Sequence, residues 1–237
     1  MRNPLLIPGV RSGNQPKIKN HRSPQRAKFL FTHTYKKGVC TMIGYHCDLA
    51  EQLDMLREFL KQSPVIEQVL QESQTLGLRD YYIGAGCICQ TVWNLQTGRD
   101  PLYGISDIDF AYFDDTDLSY EAEDRVIRKV QEHFSQLPLA LDVKNQARVH
   151  LWYQQHYGYN LKPYQSLEQA IDTWPTTATS VGVRLQNARL KVYAPFGLND
   201  LFGQIVRANR TQITEQTYQD KCIKWTNKWP ELTVIPW

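Results

Sequence analysis

The 237-residue chain lacks any long apolar run, which argues against a membrane-spanning helix. A helix that crosses a bilayer needs about 18 or more consecutive apolar residues. The apolar stretch at residues 5–7 is too short for the apolar region of a secretory signal, and no small-residue cleavage site follows it. We therefore expect a cytoplasmic protein with no membrane partner.

Cysteine is scarce, with five residues at irregular spacing. An odd count without a repeated spacing argues against a disulfide framework. A single residue separates Cys87 from Cys89, whereas zinc-binding motifs usually place about two to four residues between ligands. We therefore predict free thiols, as expected in a reducing compartment.

Residues 1–41 lack acidic side chains altogether. They contain nine of the 27 lysine and arginine residues, so the rest of the chain is mildly acidic although the net charge is +3. The segment has no sustained apolar period and carries several prolines and glycines, so we predict that it is disordered. One interpretation is an arm that binds nucleic acid. The alternatives are an uninvolved extension, or a true start of the protein at Met42.

The remainder has a globular composition. In the whole chain 42% of the residues are hydrophobic and 22% are charged, which excludes a wholly disordered protein. The length predicts one large domain, or a core domain with a smaller appendage. We place the core at residues 42–160 and a C-terminal α/β cap, packed on the core, at residues 161–237. Five of the six tryptophans lie at or beyond Trp152, so we expect the cap to be rich in aromatic contacts.

Apolar periodicity predicts a mixture of helices and strands. Asp48, Ser63 and Ser119 are typical N-caps, each followed by an amphipathic helix. Further helices are predicted at residues 87–95, 145–157, 198–206 and 215–228. Strands are predicted at residues 81–83, 105–113 and 139–143, with a hairpin at residues 181–193.

Two aspartates alternate with apolar residues in the strongest predicted strand. Asp107 and Asp109 share one face of residues 105–113, while Ile108 and Phe110 share the other. Two carboxylates about 7 Å apart at a partly buried site are unfavourable unless a cation neutralises them. Hard oxygen ligands favour Mg²⁺, which usually takes its remaining oxygens from water and from a substrate phosphate. An exposed acidic strand is the alternative interpretation.

Two other features extend this candidate site. The turn Gly84, Ala85 and Gly86, hereafter the glycine turn, joins a predicted strand to a helix, where free backbone amides can bind phosphate. A third acid, Asp142, alternates with the apolar residues of the next predicted strand. If the two acidic strands are neighbours, Asp142 can join Asp107 and Asp109 around two metal ions.

Several basic residues near Asp142 are candidates for binding a triphosphate. Lys144, Arg148 and Arg184 could each neutralise phosphate charge. Asn145 could position a sugar hydroxyl. The alternatives are ordinary ion pairs for the basic residues and a helix cap for the asparagine.

These motifs resemble a known superfamily. The glycine turn, the pair Asp107 and Asp109, and Asp142 on a later strand are similar to the nucleotidyltransferases that include polymerase beta. Longer stretches resemble a bacterial nucleotidyltransferase-like family: residues 90–94, 107–109, 142–153, 177–184, 194–202 and 229–237. The resemblance runs from about residue 50 to the C-terminus and excludes the basic segment.

The resemblance implies a mixed α+β fold, with a mixed sheet flanked by helices and a C-terminal region of a hairpin plus helices. It implies a nucleotidyltransferase that depends on Mg²⁺, with two ions held by Asp107, Asp109 and Asp142. Such an enzyme moves a nucleoside monophosphate from an NTP to a hydroxyl acceptor, here unidentified. The glycine turn and Arg148 would bind the nucleotide.

An alternative to catalysis rests on the glycine turn. Gly86 stands where the superfamily usually has a serine that contacts phosphate. This departure favours a non-catalytic nucleotide-binding protein, or a partner in a toxin–antitoxin or defence pair. A nucleic-acid partner rests on the basic segment alone.

Overall fold

The computed structural model of the protein describes residues 43–237. The predicted disorder of residues 1–41, their nucleic-acid-binding role and the alternative start at Met42 lie outside the described residues. None of the described helices is long and apolar enough to cross a membrane.

Helices and strands alternate along most of the described chain. The helices are α1 (Leu49–Lys61), α2 (Pro64–Glu72), α3 (Gly86–Gln96), α4 (Tyr120–His133), α5 (Val149–Tyr157), α6 (Leu167–Ile171), α7 (Asn199–Phe202) and α8 (Glu215–Thr226). The strands are β1 (Tyr81–Gly84), β2 (Asp107–Tyr112), β3 (Ala140–Asn145), β4 (Gly182–Gln186), β5 (Arg189–Tyr193), β6 (Ile205–Val206) and β7 (Thr233–Val234). Short 3₁₀ turns follow α2 at Ser73–Leu76 and precede α5 at Gln146–Arg148.

A five-stranded mixed sheet forms the centre of the fold, with strand order β3-β2-β1-β4-β5. Strands β2 and β3 are parallel, and the other neighbours in this sheet are antiparallel. The connection between the parallel pair is α4, as a parallel crossover requires. The predicted mixed α+β fold, with a mixed sheet flanked by helices, is confirmed.

The predicted alternation along β2 is observed. Ile108 and Phe110 are fully buried, and Tyr81 stacks on Phe110 with ring centroids 5.4 Å apart. Buried leucines of α1 and α2 join the same hydrophobic core. Because one face of β2 is committed to this core, Asp107 and Asp109 lie on its other face, where Ala111 joins a second, smaller apolar cluster.

The C-terminal third contributes to the same sheet. Strand β4 pairs with β1 through Ile83 and Val183, and β4 and β5 form the predicted hairpin. The boundary between core and cap at residues 160 and 161 stays a prediction, but strands on both of its sides belong to one sheet. Trp93 and Trp229 meet edge to face at 5.8 Å in the buried core.

One predicted helix is shorter than its sequence pattern indicated. The helix expected at residues 198–206 ends at Phe202, and Ile205–Val206 form a strand parallel to β7. Gln204 has a φ of 53°, which is incompatible with continuing a right-handed helix. Its carbonyl accepts a hydrogen bond from the Thr233 amide, so pairing with the C-terminal strand replaces the helical hydrogen bonds.

Candidate active site

The first two carboxylates of the candidate site lie on β2. Asp107 begins this strand and Asp109 follows two residues later, so both project from the face opposite the core. Asp107 is exposed and accepts a hydrogen bond from Ser106 Oγ at 3.1 Å. Asp109 is half-buried. The pair thus spans the edge between solvent and the protein interior.

The third carboxylate reaches the same place from β3. The parallel register pairs Asp109 with Asp142, so the neighbouring strands on which the third carboxylate depended are present. Lys144, two residues further along β3, forms an ion pair with Asp142. The sheet register therefore brings together all three acids predicted from the sequence, and it places the positive charge of Lys144 beside them.

Repulsion and burial both act on Asp109. Burial, and then the nearby charges of Asp107 and Asp142, raise the pKa of its carboxyl to about 7, although Lys144 and Lys221 oppose the shift. The negative charge of the cluster is thus only partly neutralised by the protein. A carboxylate held this way is typical of a functional site rather than of a solvated strand.

The chemistry of these donors fits Mg²⁺. Among residues 43–237 no three acidic, histidine or cysteine side chains are already gathered tightly enough to hold a metal by themselves. Mg²⁺ does not require such a cage, because it is usually held by one or two carboxylates together with waters and substrate phosphates. Asp107 and Asp109 supply the carboxylates, and Asp142 lies in pairing register beside Asp109.

The glycine turn is tightly packed at its first residue. A methyl group on Gly84 would lie 2.7 Å from the Trp174 ring and from the Val181 carbonyl oxygen. Ala85 adopts a φ of 55° and a ψ of −131°, a conformation that costs about 1–3 kcal/mol for a residue other than glycine. Its amide donates to Val181 O at 3.0 Å, which anchors the turn to the segment before β4.

Gly86 then begins α3, a helix of 11 residues. The first amides of a helix have no partner within the helix and favour an anion at that end. A methyl group on Gly86 would lie 3.0 Å from Gln90 Nε2, at the far end of a flexible side chain. The turn therefore presents a backbone surface to the cleft, and Gly86 itself could accept a small side chain.

One cleft of about 450 Å³ contains these elements. Ala85, Gly86 and the three acids line it, whereas Gly84 lies behind the turn and is not a lining residue. Asp107, Asp109, Asp142 and the N-terminal end of α3 thus face a common space.

Arg148 does not join them. Its guanidinium is buried, forms an ion pair with Glu123 of α4, and donates from Nε to the Leu118 carbonyl at 2.9 Å. It does not line the cleft. The nucleotide-binding role assigned to Arg148 from the sequence is thus not supported by the geometry, because this side chain is used to tie α4 to the end of β3.

Two other candidates also have structural partners. Asn145 accepts a hydrogen bond from the Ala147 amide at 3.1 Å, as a cap of the following turn, and donates to the Asp114 carbonyl at 2.8 Å. Arg184 donates to the Arg79 carbonyl at 2.7 Å and lies over the Tyr82 ring. Of the basic candidates, only Lys144 reaches the cleft.

Two lysines on α8 belong to the cleft although the sequence did not predict them as site residues. Lys221 and Lys224 line the cleft, and Lys221 Nζ lies 5.7 Å from the centre of the Trp225 ring. Burial lowers the pKa of Lys221, and the charges of Asp109 and Asp107 counteract this shift. The available signal was the spacing of Lys221, Lys224 and Trp225, which places all three near one face of a helix.

Comparisons with known proteins agree with this geometry. Residues 71–234 match the model of a family described as nucleotidyltransferase. The chain is also similar to a solved structure described as "The NMR structure of the protein reveals a CCA-adding enzyme head domain". That match has a TM-score of 0.63 and 29% sequence identity, and it covers 80% of this chain and 97% of the other. No curated protein matches the chain.

Proposed function

The chain belongs to the nucleotidyltransferase family, and from that premise we propose that it moves a nucleoside monophosphate from an NTP to a hydroxyl acceptor in a reaction that depends on Mg²⁺. The observation that carries the proposal is the meeting of Asp107, Asp109 and Asp142 with the start of α3 in one cleft. Carboxylates and helix amides in one cleft suit a ligand that combines divalent cations with phosphates.

The three acids would hold the metal. Asp107 and Asp109 would bind both of two Mg²⁺ ions, and Asp142 would complete the site of one of them. Bound Mg²⁺ would lower the pKa of the acceptor hydroxyl and stabilise the negative charge on the departing pyrophosphate. The ion pair between Asp142 and Lys144 would have to open for Asp142 to become a ligand.

The reaction exchanges one phosphorus–oxygen bond for another. A bond forms between the acceptor oxygen and the α-phosphorus of the NTP, and the bond from that phosphorus to the bridging oxygen of the β-phosphate breaks. The electron pair of the broken bond leaves with pyrophosphate. The Asp142 carboxylate would accept the hydroxyl proton, because a base must lie within hydrogen-bond reach of the group it deprotonates.

Backbone amides and lysines would orient the triphosphate. The amides at the start of α3 would donate to phosphate oxygens, and Gly86 would allow them to approach closely. Lys221 and Lys224 would neutralise phosphate charge from α8. These contacts would hold the α-phosphorus for attack, which lowers the entropic cost of the transfer.

A transfer assay tests the proposal. The full chain is incubated with each α-labelled NTP, Mg²⁺ and a panel of hydroxyl acceptors: protein hydroxyls, an aminoglycoside, RNA ends and small metabolites. We expect label transfer that requires Mg²⁺ and falls by at least about 100-fold in Asp107→Asn. The matched control is Asp115→Asn, an exposed carboxylate outside the cleft. Full transfer by Asp107→Asn would show that the metal assignment is wrong, and tight NTP binding without transfer to any acceptor would contradict catalysis.

A further inference from the structure

A group of aromatic rings lines the cleft in addition to the carboxylates. Trp152, Tyr153, Tyr157 and Tyr159, hereafter the aromatic wall, come from α5 and the residues just after it, and all four line the cleft. Ring centroids of Tyr153 and Tyr157 are 4.5 Å apart, those of Tyr153 and Tyr159 are 5.3 Å apart, and those of Trp152 and Tyr153 are 6.0 Å apart. The rings therefore form one continuous surface.

Hydrogen bonds fix this surface while leaving part of it open. The Tyr159 hydroxyl donates to the Gln212 carbonyl, so the 3.1 Å contact between the two tyrosine hydroxyls has Tyr153 as its donor. Tyr153 is only 7% exposed, whereas Tyr157 is 48% exposed and Tyr159 is 36% exposed. A cluster that served only the hydrophobic core would bury these rings, so the open faces of Tyr157 and Tyr159 are available to a ligand.

The charges around the cleft limit what that ligand can be. The charged lining residues are the three acids of the site together with Lys144, Lys221 and Lys224. Among residues 43–237, no carboxylate other than these three lines the cleft, so none is left to bind a cationic acceptor such as an aminoglycoside. Lys221 and Lys224 are assigned to the triphosphate, so Lys144, released when its ion pair with Asp142 opens, is the lysine left for an anionic acceptor. The aromatic rings are available to a planar one.

From these observations we infer that the acceptor is the end of a single-stranded nucleic acid, whose terminal bases stack on the aromatic wall. Aromatic stacking together with basic residues along the backbone is the usual way in which proteins hold single strands. The nine basic residues and absent acids of residues 1–41 suit the same polyanion. This inference rests on the proposed function. The terminal hydroxyl oxygen would bond to the α-phosphorus, pyrophosphate would leave, the proton would pass to Asp142, and the strand would gain one nucleotide.

A binding measurement on the full chain tests the inference without requiring turnover. The probes are a short single-stranded RNA, the same RNA with abasic sugars at its last two positions, each NTP, and tripolyphosphate. The variants are Tyr157→Ala, Tyr157→Phe and the control Tyr120→Ala, which removes a ring that is 68% exposed and lies outside the cleft. Tyr157→Leu keeps an apolar contact with Tyr153 and replaces the alanine variant if the latter does not fold.

We expect Tyr157→Ala to bind the intact RNA about tenfold more weakly than wild type, because loss of one base–aromatic stack has an effect of this order. Tyr157→Phe and Tyr120→Ala should bind it like wild type, and the abasic RNA should bind weakly to every variant. Equal affinity of wild type for intact and abasic RNA would overturn the inference. Two results for Tyr157→Ala would also overturn it. If NTP binding weakens while RNA binding is unchanged, the wall holds the base of the donor NTP. If RNA and tripolyphosphate binding weaken equally, the substitution has damaged the cleft in general. Base-dependent RNA binding without any transfer would instead contradict the proposed function, and with it the strand's role as acceptor, while the strand would remain a ligand of the aromatic wall.

Discussion

Replacing Asp109 with asparagine should stabilise the protein in the absence of metal. Burial and two neighbouring carboxylates raise the pKa of Asp109 from 3.8 to about 7. The folded state therefore binds the Asp109 proton more tightly than the unfolded state does. The loss of folding stability caused by ionising Asp109 consequently grows as the pH rises from 3.8 to about 7, and it stays constant above pH 7. At full burial this cost is about 4 kcal/mol, and screening at a half-buried carboxylate reduces it to about 2 kcal/mol.

The assay is thermal unfolding of the full chain and its variants with EDTA and with Mg²⁺, over pH 4 to 8. With EDTA at pH 8, Asp109→Asn should melt about 4–8 °C above wild type, because about 1 kcal/mol shifts the melting temperature of a protein of this size by 2–4 °C. The gain should shrink towards pH 4. Millimolar Mg²⁺ should raise the melting temperature of wild type and of the control Asp115→Asn, but not that of Asp109→Asn. An equal Mg²⁺ response in wild type and Asp109→Asn would refute the reasoning, and so would a gain with EDTA that is the same at every pH.

Other substitutions separate binding from packing. Lys221→Met should raise KM for the NTP by about 10- to 150-fold with a smaller change in kcat, since a charge-assisted contact to phosphate contributes about 1.5–3 kcal/mol. Steady-state kinetics measures this, and an unchanged KM would exclude Lys221 from the triphosphate site. Arg148→Met should lower the free energy of unfolding by about 3 kcal/mol, because it leaves the partly buried Glu123 without its ion-pair partner, while KM stays unchanged. A raised KM without loss of stability would return Arg148 to the nucleotide site. Gly84→Ala should cost about 1–3 kcal/mol in a denaturant titration because the added methyl group overlaps Trp174, and wild-type stability would show that the turn is loosely packed.

The sequence predicts the local part of the site well, because local patterns determine it. Alternation in β2 puts apolar residues into the core, so the aspartates between them must face the other way. The turn before α3 is likewise evident from its small residues. By contrast, the position of Asp142 depended on which strands are neighbours, and it became definite only with the parallel register of β2 and β3.

The remaining features depend on contacts between distant segments. Arg148 looks like a phosphate ligand until its partner Glu123, on another helix, is known. Lys221 is far from the acids in sequence, and nothing in α8 alone indicates which cleft it lines. The aromatic wall is likewise invisible as a surface, because a tyrosine buried in a core and one facing a ligand have the same sequence pattern.

The central claim is that Asp107 and Asp109 hold the metal that binds the NTP. A crystal structure of the full chain with a non-hydrolysable NTP analogue and Mn²⁺, whose anomalous signal locates the metal, tests it most directly. We expect Mn²⁺ at about the 2.0–2.2 Å distance typical of such carboxylate ligands from oxygens of both Asp107 and Asp109, with the triphosphate between these residues and the start of α3. A metal or triphosphate bound outside this cleft, in protein that is otherwise intact, would contradict the claim.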